Sequence, residues 1–201
     1  MERDFNQLAE ALIAKQRFEE AETVLQDALR EMPGGWKPVQ ADGESVQVAF
    51  WDEEEFSEYV QHEPSSASVS WLRPSYSRAW YTLGALAFWR KRFEQALFCL
   101  DSGIQLEPDH PELWTERGHV LARLERHEEA LACYARAATG REWAPATQIA
   151  RALRAQGVQL ADLGRIDEAE AALKQSLEFD PENDLVRQRL EDLEQLLSAV
   201  R

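Results

Sequence analysis

Trp80-Tyr81-Thr82-Leu83-Gly84, followed by Phe93-Glu94-Gln95-Ala96-Leu97-Phe98-Cys99-Leu100 and closed by Pro108, is the stretch that decides the fold. Shifted by 34 residues, its framework returns as Trp114, Arg117, Gly118, Ala130, Tyr134 and Ala137. A further copy is Leu153, Gly157, Leu160, Ala169, Leu173, Ser176 and Pro181. Another, near the N-terminus, is Phe5, Leu8, Ala9, Leu12, Ala21, Leu25, Ala28 and Pro33. A period of this length marks a helical solenoid. Each repeat is one helix pair, and it buries its apolar face only by stacking on its neighbours.

Each framed residue type has a physical reason. Gly84, Gly118 and Gly157 on first helices, with Ala96, Ala130 and Ala169 on second helices, let two backbones approach closely. Large apolar residues fill the space between layers. Pro33, Pro108 and Pro181 end second helices, because proline cannot continue a helix and biases the residue before it away from one. Phe18-Glu19-Glu20-Ala21, Phe93-Glu94-Gln95-Ala96, His127-Glu128-Glu129-Ala130 and Ile166-Asp167-Glu168-Ala169 are equivalent second-helix starts. Their carboxylates sit in the first turn, where the helix dipole favours negative charge.

The spacing is uneven. Ala130 to Ala169 is 39 residues, so the third connection gains five, around Thr139 to Ala146. Ala21 to Ala96 is 75, one period plus 41, which places an insertion at residues 34–74. Pro33-Gly34-Gly35 opens it as a turn. Residues 45–51 alternate as a strand, residues 52–60 read as a short helix capped by Asp52, residues 64–68 as a loop, and residues 68–72 as a second strand. These elements predict a hairpin-like strand pair with a helix. Trp36, Phe50, Trp51, Phe56, Tyr59 and Trp71 make the insertion too aromatic for a disordered linker. It either packs on the solenoid, inside its groove, or forms part of a partner site. Beyond Pro181, Leu185, Val186, Leu190, Leu193, Leu196 and Leu197 keep a helical stripe, as expected of a helix capping the last layer.

A formal charge of −15 disfavours nucleic acid and anionic membrane, which attract clustered positive charge, and leans toward a basic partner. No run reaches the ~18 apolar residues of a membrane helix. Met1-Glu2-Arg3-Asp4 leads straight into the first repeat, which reads as no secretory leader. Cys99 and Cys133, one period apart, read as small apolar core groups, and a cytoplasmic setting is expected. His62, His110, His119 and His127 are scattered, and no phosphate loop, zinc pattern or catalytic carboxylate spacing stands out. The sequence therefore predicts no enzyme, cofactor or metal.

The framework resembles the tetratricopeptide repeat family. Its signature runs Trp, two residues, Leu-Gly, two residues, Tyr, then Ala, three residues, Phe, and a closing Pro. Trp80-x2-Leu83-Gly84-x2-Ala87, Ala96-x3-Leu100 and Pro108 follow it, with alanine in place of tyrosine. The next copy has Arg117 for leucine and lacks the proline. The resemblance implies an all-α, right-handed superhelical solenoid of about four helix pairs in a single domain, residues 1–201. Its repeats are residues 2–33, 77–110, 111–144 and 150–183, with a capping helix at 184–200.

In this family the first helix of each pair lines a concave groove. By frame, the groove receives Arg3, Asn6, Glu10 and Ile13 from the first repeat and Arg78, Tyr81, Ala85, Phe88 and Trp89 from the second. The third repeat adds Glu112, Thr115, Glu116, His119 and Arg123, and the fourth Arg151, Arg154, Val158 and Asp162. Of these, Arg78, Tyr81, Phe88, Trp89, Thr115, His119, Arg123, Arg151 and Arg154 are the expected partner-binding residues. Tyr81, Phe88 and Trp89 make an aromatic end, and Arg123, Arg151 and Arg154 a basic end. Some family members hold a chaperone tail in a clamp of Lys, Asn and Arg. Here Glu10, Glu112 and Glu116 occupy matching places, so the clamp is not reproduced. The resemblance implies a non-enzymatic adaptor or scaffold for a protein or peptide partner. The alternatives are a secretion-type or assembly chaperone for a specific client, a small-molecule or hydrolase site within the insertion, and a homodimer.

Overall fold

The computed structural model describes residues 4–42, 45–63 and 68–200. Arg3 and all but the last residue of the expected 64–68 loop lie outside the described residues, as do the side chains of Leu196 and Leu197. The chain divides into two compact units, Met1–Pro108 and Asp109–Arg201. Each holds two of the framed helix pairs.

In the first unit, α1 (Phe5–Ala14) packs on α2 (Phe18–Arg30), α2 packs on α4 (Tyr76–Trp89), and α4 on α5 (Phe93–Leu106). Ala9, Leu12, Ala21, Leu25, Ala79, Leu83, Leu86 and Cys99 form one buried cluster. These positions recur every three or four residues along each helix, the spacing that puts them on one face.

The insertion between α2 and α4 carries β1 (Val39–Asp42), β2 (Ser45–Val48), α3 (Glu53–His62) and β3 (Ser68–Trp71). The sheet order is β1-β2-β3. The two strands expected from the sequence are not a hairpin. β2 and β3 pair in parallel, Val46 opposite Val69, with α3 as the crossover, because parallel neighbours need a long connection. The hairpin partner of β2 is β1, antiparallel with Val39 opposite Val48. Its residues Gln40 and Ala41 are exposed and form strands weakly, so the sequence alone hides it.

The expected first strand also stops short. After Val48 the chain turns inward, and Ala49, Phe50 and Trp51 are buried. Asp52 caps α3 by accepting from the Glu55 amide at 2.9 Å. Glu55, fully buried, reaches back to accept from the Trp51 amide at 2.9 Å. The Phe50 ring lies 5.3 Å from both Phe56 and Tyr59 and 5.9 Å from Trp71. These edge-on contacts give the insertion its own small core.

In the second unit, α6 (Pro111–Arg123), α7 (His127–Ala138), α8 (Ala146–Asp162) and α9 (Ile166–Phe179) pack in succession, and α6 also touches α8. α8 has 17 residues against 13 in α6, so part of the longer third connection extends the helix, which starts before the expected residue 150. In the connection, the Arg141 guanidinium sits 3.6 Å from the centre of the Trp143 ring. α10 (Asp184–Val200) packs on α9 through buried Val186, Leu190 and Leu193, whereas Leu185 is exposed. This is the expected cap.

One backbone detail repeats in register. The turn inside each helix pair places one residue in the left-handed region. These are Gln16 at φ 58°, Lys91 at 58°, Glu125 at 60° and Gly164 at 74°. Only the last of them is the residue type that adopts this conformation without steric cost.

Candidate functional site

The groove-facing residues of the first unit fall into two environments. At the N-terminal end of α4, the insertion covers them. Trp51 is buried, its ring 4.9 Å from Tyr81 and its indole N–H 3.3 Å from Ser77 Oγ. Arg78 donates to the Trp51 carbonyl and forms an ion pair with Glu10 on α1. Beneath lies a buried polar network. Asn6 donates to the Ser75 carbonyl at 2.8 Å, Ser75 and Ser77 share a hydrogen bond of 2.9 Å, and Ser77 donates to Glu107. Arg78 and Tyr81, expected in an open groove, therefore anchor the insertion. The driving force is burial of an indole, which needs a hydrogen-bond acceptor for its N–H.

At the C-terminal end of α4 the groove is open. Ile13, Phe18, Thr82, Ala85, Leu86, Trp89 and Arg90 line a depression of about 560 Å³. Trp89 is 80% exposed. The Arg90 guanidinium bonds Glu22 at 2.7 Å and Glu19 at 2.9 Å, which fixes it at the rim. Phe88 is half-buried against Phe93, ring centres 6.0 Å apart, and does not line the depression. Phe18 was read from the sequence only as a helix start. The structure leaves this residue 36% exposed at the first turn of α2.

The second unit uses its candidates differently. Arg151 bonds Glu112, and Glu116 at 3.1 Å. Arg154 bonds Asp180 at 3.0 Å. Two of the three arginines of the expected basic end are thus neutralised within the unit, because carboxylates stand on α6 and at the end of α9. Thr115 is fully buried, which corrects its placement on an open surface. It shares the helix face of Glu112 and Glu116, and that face is turned toward α8 by their bonds to Arg151. His119 is half-buried, 3.4 Å from Glu116 and with its ring 5.5 Å from Tyr134. Arg123 is exposed and makes no ion pair among the described residues.

Neither cysteine is presented for chemistry. Burial pushes the Cys99 thiol up to about 11, and Cys133 Sγ accepts from Arg117 at 3.1 Å. Among the described residues no cluster of His, Cys, Asp and Glu is arranged to hold a metal, and no helix is long and apolar enough to cross a membrane.

Comparison with known proteins agrees with this architecture. Sequence models of the tetratricopeptide repeat match residues 83–157 and 150–183, together half the chain. The Protein STIP1 homolog of Dictyostelium discoideum is 30% identical over 110 residues, 54% of this chain but 18% of that protein. The chain thus matches less than a fifth of that relative's length. Among solved structures, the first tetratricopeptide domain of Spaghetti (RPAP3), bound to the HSP90 peptide SRMEEVD, superposes with a TM-score of 0.54 at 21% identity. That match covers 61% of this chain and 93% of the other. PilW, a type IV pilus biogenesis factor, superposes with a TM-score of 0.66 at 20% identity, covering 96% of this chain and 68% of the other. The framed repeats, their helix pairs and these matches together place the chain in the tetratricopeptide repeat family.

Proposed function

We propose that this protein is a non-enzymatic interaction module that holds an apolar stretch of a partner protein in the depression formed by α1, α2 and α4. The observation that carries the reading is Trp89, a large aromatic 80% exposed beside an open apolar hollow. Exposed tryptophan next to a pocket is the typical composition of an energetic anchor at an interface. The hollow is of a size that accepts one or two apolar side chains. A cytoplasmic setting fits two buried free thiols and remains part of the proposal.

The acidic peptide SRMEEVD held by the RPAP3 domain is a poor model for the ligand here. Glu10 and Arg78 already satisfy each other, as do Arg151 and its two glutamates, and the net charge of −15 opposes an acidic tail. An adaptor for a neutral or basic apolar segment, or a chaperone shielding such a segment on its client, is the reading supported.

The test is selection of peptides from a random display library on the full chain. Selected peptides are then titrated against wild type and Trp89→Ala. Peptides with apolar anchors are expected, and Trp89→Ala is expected to weaken them by about tenfold or more, the scale of a lost aromatic anchor. SRMEEVD should show no saturable binding. No enriched peptide, or equal binding by Trp89→Ala, overturns the proposal. Self-association through the same hollow would show as a dimer that Trp89→Ala abolishes.

A further inference from the structure

A second hollow lies further along the same two helices, at the end covered by the insertion. It has a volume of about 210 Å³ and lies between α1, the start of α4 and the turn into α3. Asp4, Glu10, Asp52 and Glu53 line it against two cations, Arg73 and Arg78. Glu10 is matched by Arg78. Asp4, Asp52 and Glu53 have no ion-pair partner among the described residues, so the lining carries excess negative charge. The indoles of Trp51 and Trp71 supply its apolar wall. Asn6, only 3% exposed, also lines it, and its Oδ1 has no hydrogen-bond partner among the described residues.

We propose that this cleft takes the ammonium or guanidinium of a lysine or arginine on the partner segment whose apolar residue enters the hollow beside Trp89. The inference rests on the binding function proposed above and adds the chemistry of the partner. Asp4 and Asp52 each accept one capping amide bond, yet with Glu53, the orphan carbonyl oxygen and the aromatic faces they leave more acceptor capacity than Arg73 and Arg78 can fill. A cationic head group carries only donors. Trp71 already shows that its face suits a cation, since the Arg73 guanidinium stacks on it at 4.0 Å. The volume is below that of a typical small-molecule pocket and suits a side-chain head.

The two hollows also have compatible spacing. Glu10 lines the cleft and Ile13 the apolar hollow, three residues apart on α1, or roughly 4.5 Å of rise. Arg78 and Ala85 do the same on α4, roughly 10 Å apart. An extended peptide advances about 3.3 Å per residue, so the basic and apolar residues should stand about one to three positions apart.

The selected peptides provide the test. Lysine or arginine should be enriched at that distance from the apolar anchor. One such peptide is titrated, with its basic residue intact or replaced by norleucine, against wild type and Asp52→Asn/Glu53→Gln. Asparagine keeps the cap of α3, and an unchanged melting curve verifies the fold. Norleucine is expected to raise Kd about five- to tenfold on wild type and to have little effect on the variant, with binding to wild type weakening as salt rises. Equal binding of the norleucine peptide to wild type, or the same loss on the variant, overturns the inference. Displacement of the basic residue alone by spermidine at low concentration would assign the cleft to a free polyamine and also overturn it. Peptides that need Trp89 but show no basic preference refute the cleft and leave the apolar site standing. No selected peptide refutes both.

Discussion

The two units are built on one helical frame, yet they present it in opposite ways. In the first, the outward positions of α4 divide between residues that hold the insertion, Arg78 and Tyr81, and an exposed apolar anchor, Trp89. In the second, most of the equivalent outward positions are closed on themselves, although Arg123, one period after Trp89, is exposed. Arg151 is held by Glu112 and Glu116, Arg154 by Asp180, and Thr115 is buried. A repeat frame decides which side chains leave the core. Whether they are free to bind is decided by what stands one helix away, and that is specific to each unit.

The largest test of this contrast lies in the core. A Cβ added at Gly118 would meet the Tyr134 ring, with Cδ1 at 2.8 Å, Cζ at 2.9 Å and Cε1 closer still. At Gly84 the same Cβ would meet Leu100 Cγ at 2.8 Å and Cδ2 at 3.0 Å. A leucine can rotate and a buried tyrosine ring cannot, and the first repeat already pairs Ala9 with Leu25 in this place. Gly118→Ala should therefore destabilise by about 2–3 kcal/mol and Gly84→Ala by about 1 kcal/mol or less in chemical denaturation. Equal losses would show that the two units share one core tolerance after all.

Next in size is the fate of the candidate binding residues. Arg151→Ala leaves two largely buried carboxylates unmatched, so it should cost about 1–3 kcal/mol of stability. Trp89→Ala should change stability by about 0.5 kcal/mol or less, because the side chain is already in water, while weakening peptide binding. The reverse pattern would exchange the roles assigned to the two units.

This contrast also explains what was legible in the sequence. The frame from Phe5 to Pro181 gave every helix pair, because close approach at Gly84, Gly118 and Gly157 and bulk at Leu100, Tyr134 and Leu173 leave a periodic trace. Asp52 and the helix after it were legible for a local reason, the cap. The parallel pairing of β2 with β3 was not, since register between strands about 20 residues apart has no local signal. Nor was the pairing of Arg151 and Arg154. Helical spacing put them on the outward face, but their partners lie 26 to 39 residues away along the chain.

A smaller effect is expected at the turns. Gln16, Lys91 and Glu125 hold the left-handed conformation that Gly164 adopts freely. Lys91→Gly should be neutral to stabilising, by up to about 1 kcal/mol, and Gly164→Ala destabilising by about 1 kcal/mol in thermal melts. If Lys91→Gly instead destabilises, relief of backbone strain is outweighed by the added freedom of the unfolded chain, and the repeated φ carries no cost worth removing.

The smallest effect separates the repeats by charge. Arg17, Arg126 and Arg165 each precede a second helix and bond the glutamate three residues on, Glu20, Glu129 and Glu168. In the second repeat the corresponding residue is Gln95, so Arg92 lacks that local carboxylate. The side-chain hydrogen bond from each arginine holds the three carboxyls below their ordinary value of 4.5. A lowered folded pKa means the stabilisation is fully present above about pH 4.5 and is lost as pH falls through the folded values. All three sites are in open solvent, so salt should screen the effect. Glu129→Gln should therefore flatten the acid limb of the stability curve slightly at low salt and leave it unchanged at high salt. Gln95→Glu should steepen it by a similar amount. A steepening that survives high salt would mean that the added carboxylate works through the dipole and amides of its own helix, and that Arg92 is not its partner.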